Sequence, residues 1–204
     1  MLVSALTQSG ERRLGPVERG DISNLDASER LRERDDNRRM CALGNRLWHS
    51  DASFRATGAG YSLLSARAVP GSGGNTEFAD MRAAHDALDS ATKPEIDDLV
   101  TEHSIAFSRG ALGFDDYGEG HGDKIRPVRH RLVRTDRVIG RKSLYLSAHI
   151  GTIVGWPTPE ADAFIRDLTE HATQPRLTHA HRWQINDVVM WDYEISLEPI
   201  TIHR

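Results

Sequence analysis

The sequence predicts a mostly β protein with inserted helices, built as a sandwich or barrel core, and three observations carry that prediction. Short apolar stretches recur along the chain, each bounded by Gly, Pro or Asn, as strands packed on one face require. Helix-like stretches interrupt them at irregular places, so the regular strand-helix alternation of a doubly wound sheet is missing. The 204 residues, 38% hydrophobic and 27% charged, suit one domain around one core and leave too little chain for a second.

Taken in order, residues 1–40 form a polar, partly irregular N-terminal segment of that single 1–204 domain. Within it, residues 28–39 hold nine charged side chains in twelve positions, with the signs alternating. Their field largely cancels, which marks a solvated connection and not a binding arm. Residues 61–69 are apolar and strand-like, and Pro70-Gly71-Ser72-Gly73-Gly74 is a turn that Thr76 follows. Residues 77–88 and 94–103 read as helices outside any strand ladder, with Pro94 at a first helical position. The glycines at 110, 113, 118, 120 and 122 make 109–124 a mobile surface loop. Strands return at 144–148, 152–156, 177–183 and 187–195. A helix interrupts them, capped by Thr158 with Pro159 in its first turn, and Ala161, Phe164, Ile165, Leu168 and Ala172 share one face.

Composition excludes several classes of function. A net charge of −4, with Lys and Arg spread along the chain, lacks the basic footprint that nucleic acid requires. No stretch approaches the roughly 20 apolar residues of a membrane span. Cys41 is the only cysteine and residues 1–13 show no signal-peptide pattern, which together indicate a reducing cytoplasm. The oligomeric state is left open, a homo-oligomer included.

The chemistry-bearing pair is His49 and Asp51, two residues apart in Asn45-Arg46-Leu47-Trp48-His49-Ser50-Asp51. In an extended strand both side chains project from the same face. They can then fill adjacent corners of one metal ion, and a distant histidine would complete a 2-His-1-carboxylate triad. His-x-Asp alone is a common spacing, and a hydrogen-bonded surface pair is its ordinary meaning. A second spacing, His179-x-His181, also permits a metal. A zinc hydrolase lacks both a His-Glu-x-x-His helix and an obvious general base.

Over nearly the whole chain after about Asp21, the surrounding residues resemble the taurine and 2,4-dichlorophenoxyacetate dioxygenase family. The matching blocks are Gly44-Asn45-Arg46-Leu47-Trp48-His49-Ser50-Asp51, Tyr61-Ser62-Leu63-Leu64-Ser65-Ala66-Arg67, Gly73-Gly74-Asn75-Thr76-Glu77-Phe78-Ala79-Asp80-Met81, Gly140-Arg141-Lys142-Ser143-Leu144-Tyr145-Leu146 and Val189-Met190-Trp191-Asp192. The resemblance implies a double-stranded β-helix, a cupin-like jelly roll, with iron(II) in its mouth and 2-oxoglutarate as co-substrate. It implies that dioxygen and 2-oxoglutarate are consumed, that succinate and CO2 are released, and that a small organic anion such as an aryloxyalkanoate or sulfonate is hydroxylated. By the same resemblance His49 and Asp51 are the first two iron ligands and Thr76 contacts the 2-oxoglutarate carboxylate. Asn45 supplies an amide to co-substrate or substrate, and His179 and His181 fall away from the iron.

The chain departs from the family after Asp192. Where the family reads Asn-Arg and then His-Arg, this sequence has Tyr193-Glu194-Ile195-Ser196-Leu197-Glu198-Pro199, which puts Glu198 at the place of the distal histidine ligand. His203, before Arg204, is the alternative third ligand. The arginine that clamps the co-substrate has no counterpart. Asp136 stands where relatives place a histidine on the substrate carboxylate, and Arg141 and Lys142 remain nearby to attract an anion. Relative to the family the chain is expected to be shortened at both ends and the jelly roll incomplete. Two readings follow: a dioxygenase of the family type, or a catalytically impaired remnant with partial fold and weak metal or co-substrate binding.

Overall fold

The computed structural model describes residues 2–6, 18–21, 26, 28, 30–34, 36, 39, 43–57, 60–113, 126–193 and 195–197. Its strands are β1 (Leu2–Leu6), β2 (Glu18–Asp21), β3 (Tyr61–Ser65), β4 (Thr76–Asp80), β5 (Val100–His103) and β6 (Val128–Arg131), followed by β7 (Val133–Thr135), β8 (Lys142–Leu144), β9 (Ile150–Ile153), β10 (Thr178–His181), β11 (Val188–Asp192) and β12 (Ser196–Leu197). Four α-helices lie among the described residues: α1 (Met81–Asp86), α2 (Thr92–Ile96), α3 (Ile105–Gly110) and α4 (Thr158–Ala172). Short sheets dominate, in the orders β11-β3-β1-β2, β10-β4-β12, β6-β5-β9 and β7-β8. Every strand pair is antiparallel.

The expected mostly β architecture is therefore present, but several boundaries move. The stretch 77–88 is not one helix: it continues β4 to Asp80, whose carboxylate accepts hydrogen bonds from the backbone N–H groups of Arg82 and Ala83 and starts α1. The aspartate cap sets the helix start four residues later than expected. The stretch 94–103 divides likewise. Asp89 accepts from the N–H groups of Ala91 and Thr92 ahead of α2, Pro94 is its third residue, and β5 follows. In β5 Thr101 and His103 are buried and Val100 and Glu102 less so, the period-2 pattern of a strand flanked on both sides. Residues 77–80 and 100–103 thus lie inside strand ladders, and the helices between them are shorter than expected.

Residues 1–40 also hold more structure than expected, since β1 pairs with β3 on one side and β2 on the other. The glycine turn before β4 stands, with Gly73 and Gly74 at φ of 64° and 74°, a region L side chains avoid. α4 is where the periodicity put it. Ala161, Leu168 and Ala172 are buried and Phe164 and Ile165 pack on the same core, although Pro157 occupies the cap position and Thr158 makes no capping bond. Strand 144–148 is displaced, since β8 ends at Leu144 and 145–148 is not strand; 152–156 shifts back to β9, and 177–183 shrinks to β10. The stretch 187–195 breaks at Asp192, beyond which β12 crosses to pair with β4. Of the loop 109–124, residues 114–124 lie outside the described residues, as do Cys41, Glu198 and His203.

Two apolar clusters hold these layers. One joins α1, α4 and β8 through Met81, Ala84, Leu132, Leu144, Leu168 and Ala172. The other backs β3 and β11 with Leu64, Ala66, Trp183, Trp191 and Tyr193. Among the described residues no helix is long and apolar enough to cross a membrane.

Candidate functional site

A 3-10 turn over Gly44–Arg46 ends where Leu47 becomes extended and its N–H reaches the Gly44 carbonyl at 3.2 Å. Asn45 sits half-buried in that turn. The chain then docks against the segment after β8, with the Trp48 carbonyl accepting from the Ala148 N–H at 2.9 Å and the Ser50 N–H donating to Ser147 Oγ at 3.2 Å. His49 makes only an isolated bridge and Asp51 opens a turn in which Ala52 has φ 58°. The two side chains are therefore not carried by one strand face, as their spacing suggested. They meet where an isolated bridge at His49 gives way to the turn closed by the Ser53 N–H on the Ser50 carbonyl.

His49 is 5% exposed, and its Nδ1 lies 2.7 Å from the Leu47 carbonyl oxygen. A ring nitrogen that close to a carbonyl carries the hydrogen, so neutral His49 presents a bare Nε2. That Nε2 is 3.4 Å from Asp51 Oδ1. Two acceptors facing each other repel, and a proton or a metal ion between them removes the repulsion. Metal bonds of about 2.1 Å at a right angle place two ligand atoms about 3 Å apart, close to the separation present. The pair thus fits a divalent metal in spacing, tautomer and donor type.

The other carboxylate oxygen is engaged. Tyr193 Oη donates to Asp51 Oδ2 at 2.9 Å and Ser62 Oγ at 3.2 Å, and the two hydroxyls touch each other. Burial is the largest influence on this carboxyl and acts to raise its pKa. Against it stand, when a proton occupies the space between the two acceptors, the hydrogen bond and positive charge of a protonated His49, and the hydroxyls of Tyr193 and Ser62; together these hold the group at about 2. Beside the pair stands His149, 5% exposed, its Nδ1 2.8 Å from Ser108 Oγ and its ring edge-on to His49 at 6.2 Å and to Phe54 at 5.0 Å. Loss of water around the ring, reinforced by His49 and Arg109, lowers its pKa to about 3, so it is neutral at physiological pH.

Thr76 is fully buried at the start of β4, and its Oγ1 accepts from Trp183 Nε1 at 3.0 Å, which leaves its own proton to donate. Trp183 belongs to the same apolar cluster as Tyr193, so one packed layer supports Thr76 and Asp51.

Other sequence candidates are placed elsewhere. Arg141 donates to Asp86 at 2.7 Å and Lys142 pairs with Asp97, so the cations proposed to draw in an anion are already matched by acids. Asp136 accepts from the N–H groups of Val138 and Ile139 and from Arg82 at 2.7 Å, which makes it the organiser of the β7–β8 turn. His179 is exposed, while His181 Nε2 lies 3.1 Å from Asp187 Oδ2, so the two do not face a common ligand. Among the described residues no three His, Cys, Asp or Glu side chains group around a metal position. A cleft of about 1100 Å³ opens beside Tyr61, His130, Arg134, Lys142 and Asp192, but neither His49, Asp51 nor Thr76 lines it. Sequence reasoning missed Ser62, Ser147, His149 and Tyr193. Only Ser62 left a trace, as a polar residue on the Leu64 face of an apolar strand.

Comparison with known proteins decides the family. The taurine catabolism dioxygenase TauD, TfdA family is matched over residues 7–192. This chain belongs to that family. It is 44% identical over 176 residues to the alpha-ketoglutarate-dependent 2,4-dichlorophenoxyacetate dioxygenase of Cupriavidus pinatubonensis, covering 86% of this chain and 61% of the relative. With the (S)-phenoxypropionate/alpha-ketoglutarate-dioxygenase of Sphingobium herbicidovorans it shares 36% identity over 200 residues, covering 93% and 70% of the two chains. Among solved structures, AAD-2 in complex with Mn(II) and N-oxalylglycine superposes with a TM-score of 0.86 at 50% identity, covering 91% of this chain and 68% of that one. The chain spans about three fifths of the first curated relatives it matches, 61% and 59% of their lengths. Within the family, the departure at Tyr193 begins one residue after the matched span ends.

Proposed function

We propose that this chain is a cytoplasmic iron(II)- and 2-oxoglutarate-dependent dioxygenase that hydroxylates a small organic anion, an aryloxyalkanoate before a sulfonate. The observation that carries the reading is the approach of His49 Nε2 to Asp51 Oδ1 at 3.4 Å in a chain of the TauD, TfdA family. The aryloxy acids come first because the 2,4-dichlorophenoxyacetate and phenoxypropionate enzymes resemble it at 44% and 36% identity, against 32% for a putative sulfonate dioxygenase and 26% for a sulfate ester dioxygenase. N-oxalylglycine, bound with Mn(II) in AAD-2, is an isostere of 2-oxoglutarate, which supports the choice of co-substrate. We take the core to be a double-stranded β-helix, in keeping with the short antiparallel sheets of the fold and with the family.

When bound, iron(II) and 2-oxoglutarate supply the oxidative chemistry: dioxygen is reduced, succinate and CO2 leave, and a substrate C–H bond becomes C–OH. The residues of this chain bind and orient. His49 Nε2 and Asp51 Oδ1 hold the metal, with Glu198 or His203 as the third ligand. The Thr76 hydroxyl donates its proton to the co-substrate carboxylate, its orientation set by Trp183, and the Asn45 amide hydrogen-bonds co-substrate or substrate. His149, held neutral, fills one side with an uncharged ring and keeps water from the metal. Arg141 and Lys142, matched by acids, contribute little to substrate binding.

The test is succinate formation under air with iron(II), 2-oxoglutarate and a panel of aryloxyalkanoates and sulfonates. Substrate-dependent succinate that vanishes in His49→Ala is the expected result. Metal binding without succinate on any substrate would instead indicate the impaired remnant, which keeps the first two ligands and lacks turnover.

A further inference from the structure

We propose that Tyr193 is a positioning residue that fixes the Asp51 carboxylate so that a single oxygen, Oδ1, is presented to the metal. The inference rests on the metal site proposed above and goes beyond it in assigning a role to a residue at which the chain has left the family pattern. Asp51 lies in a turn, outside any strand ladder, so its backbone alone does not settle which way the carboxylate faces. Tyr193 settles it from both of its ends. Its N–H donates to the Gly60 carbonyl at 3.2 Å and its carbonyl accepts from Ser50 Oγ at 3.1 Å, which ties its backbone to the residue between His49 and Asp51. Its ring is 2% exposed and packs with Leu64, Trp183 and Trp191, and from there its hydroxyl reaches Asp51 Oδ2 at 2.9 Å.

Ser62, fully buried on β3, donates to the same oxygen at 3.2 Å. With two hydroxyls on Oδ2, the lone pairs of Oδ1 are the ones left facing His49. A carboxylate that binds through one oxygen occupies one coordination position and one that binds through two occupies two, so this arrangement keeps a position open for a further ligand. Hydroxyl groups that orient a ligating side chain in this way typically govern metal affinity by about 10- to 100-fold.

The experiment compares Mn(II) affinity by equilibrium dialysis, and the absorption spectrum of bound Co(II), in the parent chain and in Tyr193→Phe, Ser62→Ala and Asp51→Asn. Tyr193→Phe keeps the packed ring and removes only the hydroxyl. It is expected to weaken Mn(II) binding about 10-fold and to change the Co(II) spectrum as Oδ2 is released to bind. Ser62→Ala should move both readouts in the same direction by less, and Asp51→Asn should abolish binding. A Tyr193→Phe protein with the parent's affinity and spectrum, where the parent's binding depends on Asp51, would overturn the inference and leave the metal site standing. If that variant fails to fold, Tyr193→Leu, which keeps an apolar side chain without the hydroxyl, is the second test, and the parent's affinity and spectrum there overturn the inference equally. Absence of Asp51-dependent binding in the parent overturns the metal site and this role together.

Discussion

The turn at His49–Asp51 and the hairpin of β7 and β8 both gather acids and bases, yet they use them differently. At the turn His49 is 5% exposed and the Asp51 side chain 31%, with one carboxylate oxygen held by Tyr193 and Ser62, which are 2% and 0% exposed. At the hairpin, Arg141 and Asp86 keep 45% and 53% of their side chains in water. Ion pairs of the second kind are screened and add little to stability. In the first, the ring of His49 and the hydroxyls of Tyr193 and Ser62 are desolvated, so any of them left unmatched has no water to replace the loss. Charge density along the sequence therefore misleads; a charge held by several buried donors is the better guide to a site.

The largest expected effect breaks or confirms that contrast directly. Asp51→Asn and His49→Ala should each weaken Mn(II) binding more than about 100-fold, beyond what losing an orienting neighbour produces, whereas Arg141→Ala should leave it unchanged. Equal losses in all three, measured by equilibrium dialysis, would erase the distinction between the two regions.

Next in size is a dependence on pH. Burial lowers the pKa of both His103 and His149, the latter to about 3. Between the unfolded value near 6.5 and the folded one, the unfolded chain binds protons that the folded one refuses. Stability is then full above about pH 6.5 and falls as pH drops, by up to about 1.4 kcal/mol per pH unit for each such group. Thermal melts from pH 7.5 to 4.5 should show the decline, with a shallower slope in His149→Gln. A decline of unchanged slope in that variant would mean that His149 is hydrated and not part of the dry corner.

A smaller effect tests a boundary. Asp80→Ala removes the acceptor for the Arg82 and Ala83 N–H groups and should cost about 1 kcal/mol in urea denaturation. Smallest of all, Lys142→Ala should leave the melting temperature within experimental error, since its partner Asp97 is a solvated carboxylate; a large drop would make the hairpin part of the folding core.

Much of the fold was legible where one local cause dominates. The helix after Pro157 followed from apolar spacing, and the turn before Thr76 from consecutive glycines that alone tolerate its backbone angles. Residues 77–80 and 100–103 were misread because each adjoins a true helix, α1 or α2, and only pairing with β10, β12, β6 and β9 makes them strands. Propensity is a weak prior against a ladder of backbone hydrogen bonds.

The same division runs through the site. By itself the sequence determined the family, through ordered blocks of matching residues, and with it His49, Asp51 and Thr76 as the positions to examine. It could not determine how His49 and Asp51 meet, because the spacing pointed to a strand and the chain makes a turn. Nor could it supply Tyr193, Ser62 and Ser147, whose partners stand 142, 11 and 97 residues away. Sequence spacing reports neighbours along one element, within a few residues. Which hydroxyl closes on which carboxylate oxygen depends on how β3 and β11 pack behind the turn, and only the tertiary structure decided that.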